Sequence, residues 1–175
     1  MKQKLTWFFK SFIWLALLLI VLDFITKKLA EGAASTLGHF PGQPIIPNFL
    51  YLYYTRNTGA AWSIFEDYPW ALAILSFVAG SAMIGYVIWK YKKLNAWTKA
   101  ALMLMIAGTW GNFIDRAFYY PDGVIDFISM HFGSYVFPTY NVADSCLTVG
   151  IAILLVLTFV EDFTAKKTPK DKQAQ

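Results

Sequence analysis

Cysteine, histidine and charge are all scarce in this chain, and each scarcity removes a class of chemistry. Cys146 is the one cysteine, so no intrachain disulfide can form and its thiol says nothing about redox compartment. His39 and His131 are the two histidines. They stand apart, with no cysteine cluster and no HExxH spacing, so no metal site and no cofactor are expected. The same scarcity weakens a serine triad, because Ser63 and Ser145 lack a neighbouring histidine. Spacing alone leaves a Ser/Lys dyad through Lys27 open. Charged residues are 15% of the chain, against about 25% in a soluble domain.

What is abundant is apolar. Hydrophobic residues are 57% and aromatic residues 18% of the 175 residues, the composition of a membrane protein forming one compact unit. The net charge of +4 is not gathered on one face. The basic residues lie between apolar runs and at the ends, so they read as topology signals and no nucleic-acid partner is expected.

Four apolar runs, at about 11–30, 70–89, 100–118 and 141–160, each approach the ~20 residues that a transmembrane helix needs. The first also resembles a signal peptide, with Lys2, Lys4 and Lys10 before it and small residues at Gly32-Ala33-Ala34. Asp23, Lys27 and Lys28 interrupt the approach to that small-residue site, so it is read as a retained span. Residues 31–69 and 119–140 form two loops. In the first, Phe49 to Thr55 reads as a strand, Asn57-Thr58-Gly59 as a turn and Ala60 to Phe65 as a short interfacial helix. In the second, Pro121-Asp122-Gly123 is a turn and Val124 to Ile128 a strand. Residues 1–165 therefore read as a single integral membrane domain, and 166–175 as a charged, disordered tail.

Basic residues orient these spans. Lys2, Lys4, Lys10, Lys90, Lys92, Lys93, Lys99, Lys166, Lys167, Lys170 and Lys172 are eleven of the fifteen cations. All fall on one side of a four-span topology, which makes that side cytoplasmic, with both termini there. Asp23, Lys27, Asn112, Asp115, Arg116, Asn141 and Asp144 then sit near the outer ends of their spans, and Asn57 and Asp126 lie in the outer loops. Charge at membrane depth is expensive and usually has a use. Each acid alone has a plainer explanation. Asp23 with Lys27, and Asp115 with Arg116, could be ion pairs joining helices. Asp144 could be a helix N-terminal acid, and Asp126 an edge-strand acid facing water. Cys146 reads as a packed small residue, and Gly108 and Gly111 as points of close helix contact. A non-enzymatic four-helix transporter or lipid-binding factor is the rival; it predicts polar residues through the whole bilayer depth, and here they stop at the outer end.

Five blocks occur in order: Asp23-x-x-x-Lys27, Asn57-Thr-Gly59-Ala-Ala-Trp-Ser63, Gly111-Asn-x-x-Asp-Arg116, Val124-Ile-Asp126-Phe and Tyr140-Asn-Val-Ala-Asp144-Ser. Together they closely resemble lipoprotein signal peptidase, or signal peptidase II. Trp62 and Tyr140 stand where phenylalanine is common, and Ala107 and Trp110 where small or aliphatic residues are. The resemblance implies an aspartic endopeptidase of the bacterial inner membrane that cuts prolipoproteins before a diacylglyceryl-modified cysteine. It makes Asp126 and Asp144 the catalytic dyad, near the outer leaflet. It makes Asn57, Gly59, Asn112, Arg116 and Asn141 substrate-positioning residues, and Asp23, Lys27 and Asp115 supporting ones. It further implies a small extracytoplasmic β-sheet cradle with a short interfacial helix as a lid, and a monomer whose partners are its lipidated substrates and membrane lipids.

Overall fold

The computed structural model describes residues 11–59 and 68–167. In chain order these form α1 (Ile13–Gly32), α2 (Ala34–Leu37), β1 (Gln43–Ile46), β2 (Leu50–Asn57), α3 (Pro69–Lys90), α4 (Ala96–Phe118), β3 (Val124–Phe132), β4 (Tyr135–Val136) and α5 (Val142–Lys167). The chain is mostly helical, with one small antiparallel sheet.

The long helices begin where local chemistry allows. Pro69 occupies the first turn of α3, where its missing N–H costs nothing. Asn95 caps α4 by accepting a hydrogen bond from the Thr98 N–H at 2.8 Å. In the bundle α4 is central: it packs against α1, α3 and, most extensively, α5. Gly108 permits that closeness, since a Cβ there would run into the Ala143 carbonyl. Ala16, Val87, Leu102, Met103, Ile106 and Ala107 fill the core between α1, α3 and α4.

The outward faces are the reverse of a soluble bundle. Leu17, Leu18 and Leu29 of α1, Ile88 of α3, and Leu155 and Phe159 of α5 are all more than half exposed, as suits helices solvated by lipid. Among the described residues, α3 and the stretch Val142–Thr164 of α5 are long and apolar enough to cross a membrane by length and composition. The other two expected spans, α1 and α4, have 20 and 23 residues but carry the charged residues of the site, which make them less apolar.

The sheet has the order β1-β2-β3-β4. Both strands read from the sequence exist and are longer than expected, the second reaching Phe132. β1, β4 and α2 were not anticipated. β1 contains Pro44 in a glycine- and proline-rich stretch, β4 is two residues long, and neither carries an alternating pattern. α5 continues through Lys167, carrying Glu161 and Asp162 on an exposed helix face. The expected interfacial helix at 60–65 lies outside the described residues, as do the basic N-terminal residues and 168–175.

β3 is covered on both faces near its start. Ile125 and Phe127 pack with Ala30, Leu52 and Val142, so by the two-residue period of a strand Val124 and Asp126 face the other way. A bulge in β2 between Leu52 and Thr55 sets Thr55 opposite Asp126 and Asn57 opposite Val124. Bulges re-aim side chains; here the extra residue leaves Asn57 diagonal to Asp126 on the same face.

Candidate active site

The structure brings Asp126 and Asp144 together on a cavity of about 780 Å³ between the sheet and α3, α4 and α5. Asn57, Asn112 and Arg116 line it as well. Apolar side chains make up much of its lining, with Leu72, Met83 and Met105 among them. The contribution of α3 was not foreseen, because an apolar wall in an apolar helix leaves no sequence signal.

Asp126 is 2% exposed and sits on an inner strand, which removes the reading as an edge acid facing water. Asn57 Nδ2 donates to its Oδ2 at 3.0 Å, and Asn141 Nδ2 to its Oδ1 at 2.8 Å. Burial pushes its carboxyl up to about 7, and the negative charge of Asp144 adds to that.

Asp144 lies on the first turn of α5 and is half-buried. Its Oδ2 accepts from the Asn141 N–H at 3.1 Å, while Asn141 Oδ1 accepts from the Asp144 N–H at 2.9 Å. This is a capping box closed by an asparagine and an aspartate. Asp144 is thus a helix N-terminal acid and also a wall of the cavity. Asn112 Nδ2 donates to its other oxygen at 2.7 Å. The three asparagine amides therefore donate to the two acids.

Behind these lies a second tier. Lys27, 2% exposed, is 2.8 Å from Asp23, 3.0 Å from Asp115 and 3.1 Å from Asn112 Oδ1. The expected Asp23–Lys27 pair exists. The expected Asp115–Arg116 pair does not: adjacent helix residues point apart, and Asp115 faces α1 instead. Arg116 Nη2 donates to the Gly59 carbonyl at 3.1 Å, and its Nε is buried with no hydrogen-bond partner among the described residues. With three acceptors around its ammonium, Lys27 is a poor candidate for a serine-activating base. Ser145 Oγ donates to the Asn141 carbonyl, and Ser63 lies outside the described residues. Gly59 closes the Asn57 turn, its N–H donating to Asn57 Oδ1 at 3.0 Å.

A family profile described as signal peptidase (SPase) II matches residues 15–160. The chain belongs to the signal peptidase II family. It is 38% identical over 154 residues to a lipoprotein signal peptidase of Listeria monocytogenes serotype 4b, covering 87% of this chain and 95% of that one. Its identity to the lipoprotein signal peptidase of Geobacillus kaustophilus is 38% over 149 residues, covering 85% and 93%. A bacterial membrane enzyme solved at 2.3 Å resolution superposes with a TM-score of 0.70 and 30% identity, covering 91% of this chain and 93% of that one. Membership of the family makes the chain a peptidase, a membrane hydrolase of lipoprotein processing.

Proposed function

We propose that this chain is an aspartic endopeptidase that removes signal peptides from bacterial prolipoproteins, cutting before the diacylglyceryl-modified cysteine. The observation that carries this reading is the pair of acids on one cavity wall, joined through Asn141, which donates its amide to Asp126 and its backbone N–H to Asp144.

Two neighbouring carboxyls resist joint ionisation and share one proton. The deeper burial of Asp126 favours that proton there, leaving Asp144 as the carboxylate. Asp144 takes a proton from water as the water oxygen bonds to the scissile carbonyl carbon. The Asp126 hydroxyl donates to the carbonyl oxygen, which becomes the oxyanion of a tetrahedral intermediate. Collapse of that intermediate breaks the C–N bond, and the proton held by Asp144 passes to the departing amine. Arg116, whose buried Nε–H has no partner among the described residues, is suited to hold a substrate carbonyl. Gly59 fixes the Asn57 turn against Arg116, and Asn57, Asn112 and Asn141 hold the acids in register. Asp23, Lys27 and Asp115 support them.

We further read residues 1–165 as one integral domain of four spans in the inner membrane, with both termini cytoplasmic. The acids then lie near the outer leaflet, where the signal segment and acyl chains of a lipidated substrate are already concentrated and oriented. The apolar lining of the cavity suits such a substrate. The working unit is a monomer, with membrane lipids as its other contacts. In a cleavage assay with lipidated and non-lipidated precursors, Asp126→Asn and Asp144→Asn should each abolish processing while the protein still inserts. Retained activity in either purified variant sinks the dyad, and activity lost on chelation favours a metal mechanism instead.

A further inference from the structure

We propose that Lys27 is a positioning residue that fixes both acids at once, through Asp23, Asp115 and Asn112; this rests on the dyad reading above. Asp23 Oδ1 accepts from the Ala143 N–H at 2.8 Å. Asp115 Oδ2 accepts from the Ile125 N–H at 3.1 Å. Ala143 immediately precedes Asp144, and Ile125 immediately precedes Asp126. Each supporting carboxylate therefore anchors the backbone N–H of the residue just before one acid of the dyad, and Lys27 holds the two carboxylates together.

The third contact sets an orientation. An ammonium can only donate, so Lys27 at 3.1 Å selects the oxygen of the Asn112 amide. Asn141 Nδ2 approaches the same oxygen at 3.0 Å. With its oxygen committed on that side, Asn112 turns its Nδ2 to Asp144, where it donates at 2.7 Å. Rotated the other way, it would set an oxygen against a carboxylate. Space for the cluster is also built in: a Cβ on Gly111 would stand 2.7 Å from Asp23 Oδ2 and 3.0 Å from Ala143 Cβ.

Lys27 does not line the cavity and touches no reacting atom, so it acts on the geometry of the acids and not on the substrate. A cluster that serves only to balance buried charge would behave differently. The discriminating variant is the double substitution Lys27→Met with Asp115→Asn, which removes one charge of each sign and leaves the net charge of the cluster unchanged. It is made in the full chain, with Lys27→Met alone beside it, and each is purified and assayed on a diacylglyceryl-modified precursor. The expected result is a double variant with a parent-like melting temperature, kcat lower by about a hundredfold, the scale for reacting groups misplaced by about 1 Å, and KM within about threefold of the parent. Adding Asn112→Ala to the double variant should cost less than the same change costs in the parent, because Lys27, one of the two donors that orient the Asn112 amide, is already gone. Parent-like kcat per folded molecule in the double variant, or a fully multiplicative loss with Asn112→Ala, overturns the proposal. If Lys27→Met alone does not fold, the charge-matched variant decides. Inactive Asp126→Asn and Asp144→Asn alongside a fully active double variant would sink the positioning role and leave the dyad standing. Activity in either aspartate variant would sink the dyad itself.

Discussion

Asn141 and Asp144 hold each other across the first turn of α5, each accepting from the other's backbone N–H at 2.9 and 3.1 Å. The same asparagine sends its amide to Asp126 at 2.8 Å. One side chain therefore caps a helix and ties the two acids together.

These two duties separate by substitution. Serine caps a helix about as well as asparagine, whereas alanine does not, and the difference is about 1 kcal/mol. Serine is too short to reach Asp126. Asn141→Ala should lower the melting temperature by about 2–4 °C, with Asn141→Ser close to the parent. Both should lose about tenfold in kcat/KM, as one buried hydrogen bond to Asp126, worth about 1 kcal/mol, is lost and its oxygen is left without that donor. Melting curves and cleavage rates on both variants check this. A fully active Asn141→Ser would leave the amide contact to Asp126 without weight.

Activity should fall on the alkaline side of about pH 7. Burial and the Asp144 charge raise the Asp126 carboxyl to about 7 from its ordinary 3.8. The dyad works with one proton, so loss of that proton through pH 7 removes the group that polarises the carbonyl. kcat/KM should drop about tenfold per pH unit beyond that limb. The stability sign follows from the same shift. The folded state keeps a proton that the unfolded chain releases near 3.8, so this group stabilises fully below that pH. Its contribution declines as pH rises toward 7. A pH–rate profile flat from 6 to 9 would contradict the single-proton dyad.

Gly108→Ala should damage the enzyme far more than Gly85→Ala. A methyl at Gly108 meets the Ala143 carbonyl and backbone of α5, which cannot give way as a side-chain tip can. Overpacking of this kind costs about 1–3 kcal/mol, and it pushes α5, and with it Asp144, away from α4. Gly85 has nothing within 4 Å of its added carbon and lies on an exposed face of α3. Melting temperature and kcat should fall together in the first variant and stay near the parent in the second.

The helices and the main strands were legible because lipid and strand packing impose simple periods. Hydropathy marked the long apolar runs, and the residues around Asp126 and Asn57 kept a β-prone composition. The level of the polar residues was legible too, since ionisable groups in apolar runs stand out. Their partners were not. Adjacency in the chain suggested an Asp115–Arg116 ion pair, but the choice of Lys27 depends on how α1 rotates against α4, which no local pattern records. Asn57, Asn112 and Asn141 read as substrate-positioning residues, because sequence cannot tell an amide facing a ligand from one facing a carboxylate. β1 and the wall from α3 were missed for related reasons. A proline-bearing edge strand has no alternation, and an apolar cavity wall looks like lipid-facing surface.

The topology reading makes a prediction independent of catalysis. Lys90, Lys92, Lys93 and Lys99 surround the short connection between α3 and α4, and cations of this kind are retained on the cytoplasmic side. Ser134, in the turn between β3 and β4, belongs to the sheet at the opposite ends of the helices and is exposed. Cysteines introduced singly as Lys93→Cys and Ser134→Cys, in a Cys146→Ala background that removes the one native thiol, report on the two sides. In intact cells freed of their outer barriers, a membrane-impermeant maleimide should label Ser134→Cys and spare Lys93→Cys. Permeabilisation should then expose Lys93→Cys. Labelling of both before permeabilisation would mean that α3 and α4 do not cross as a pair. The reverse pattern would set the acids on the cytoplasmic face, away from the outer leaflet where the proposed substrate presents its cysteine.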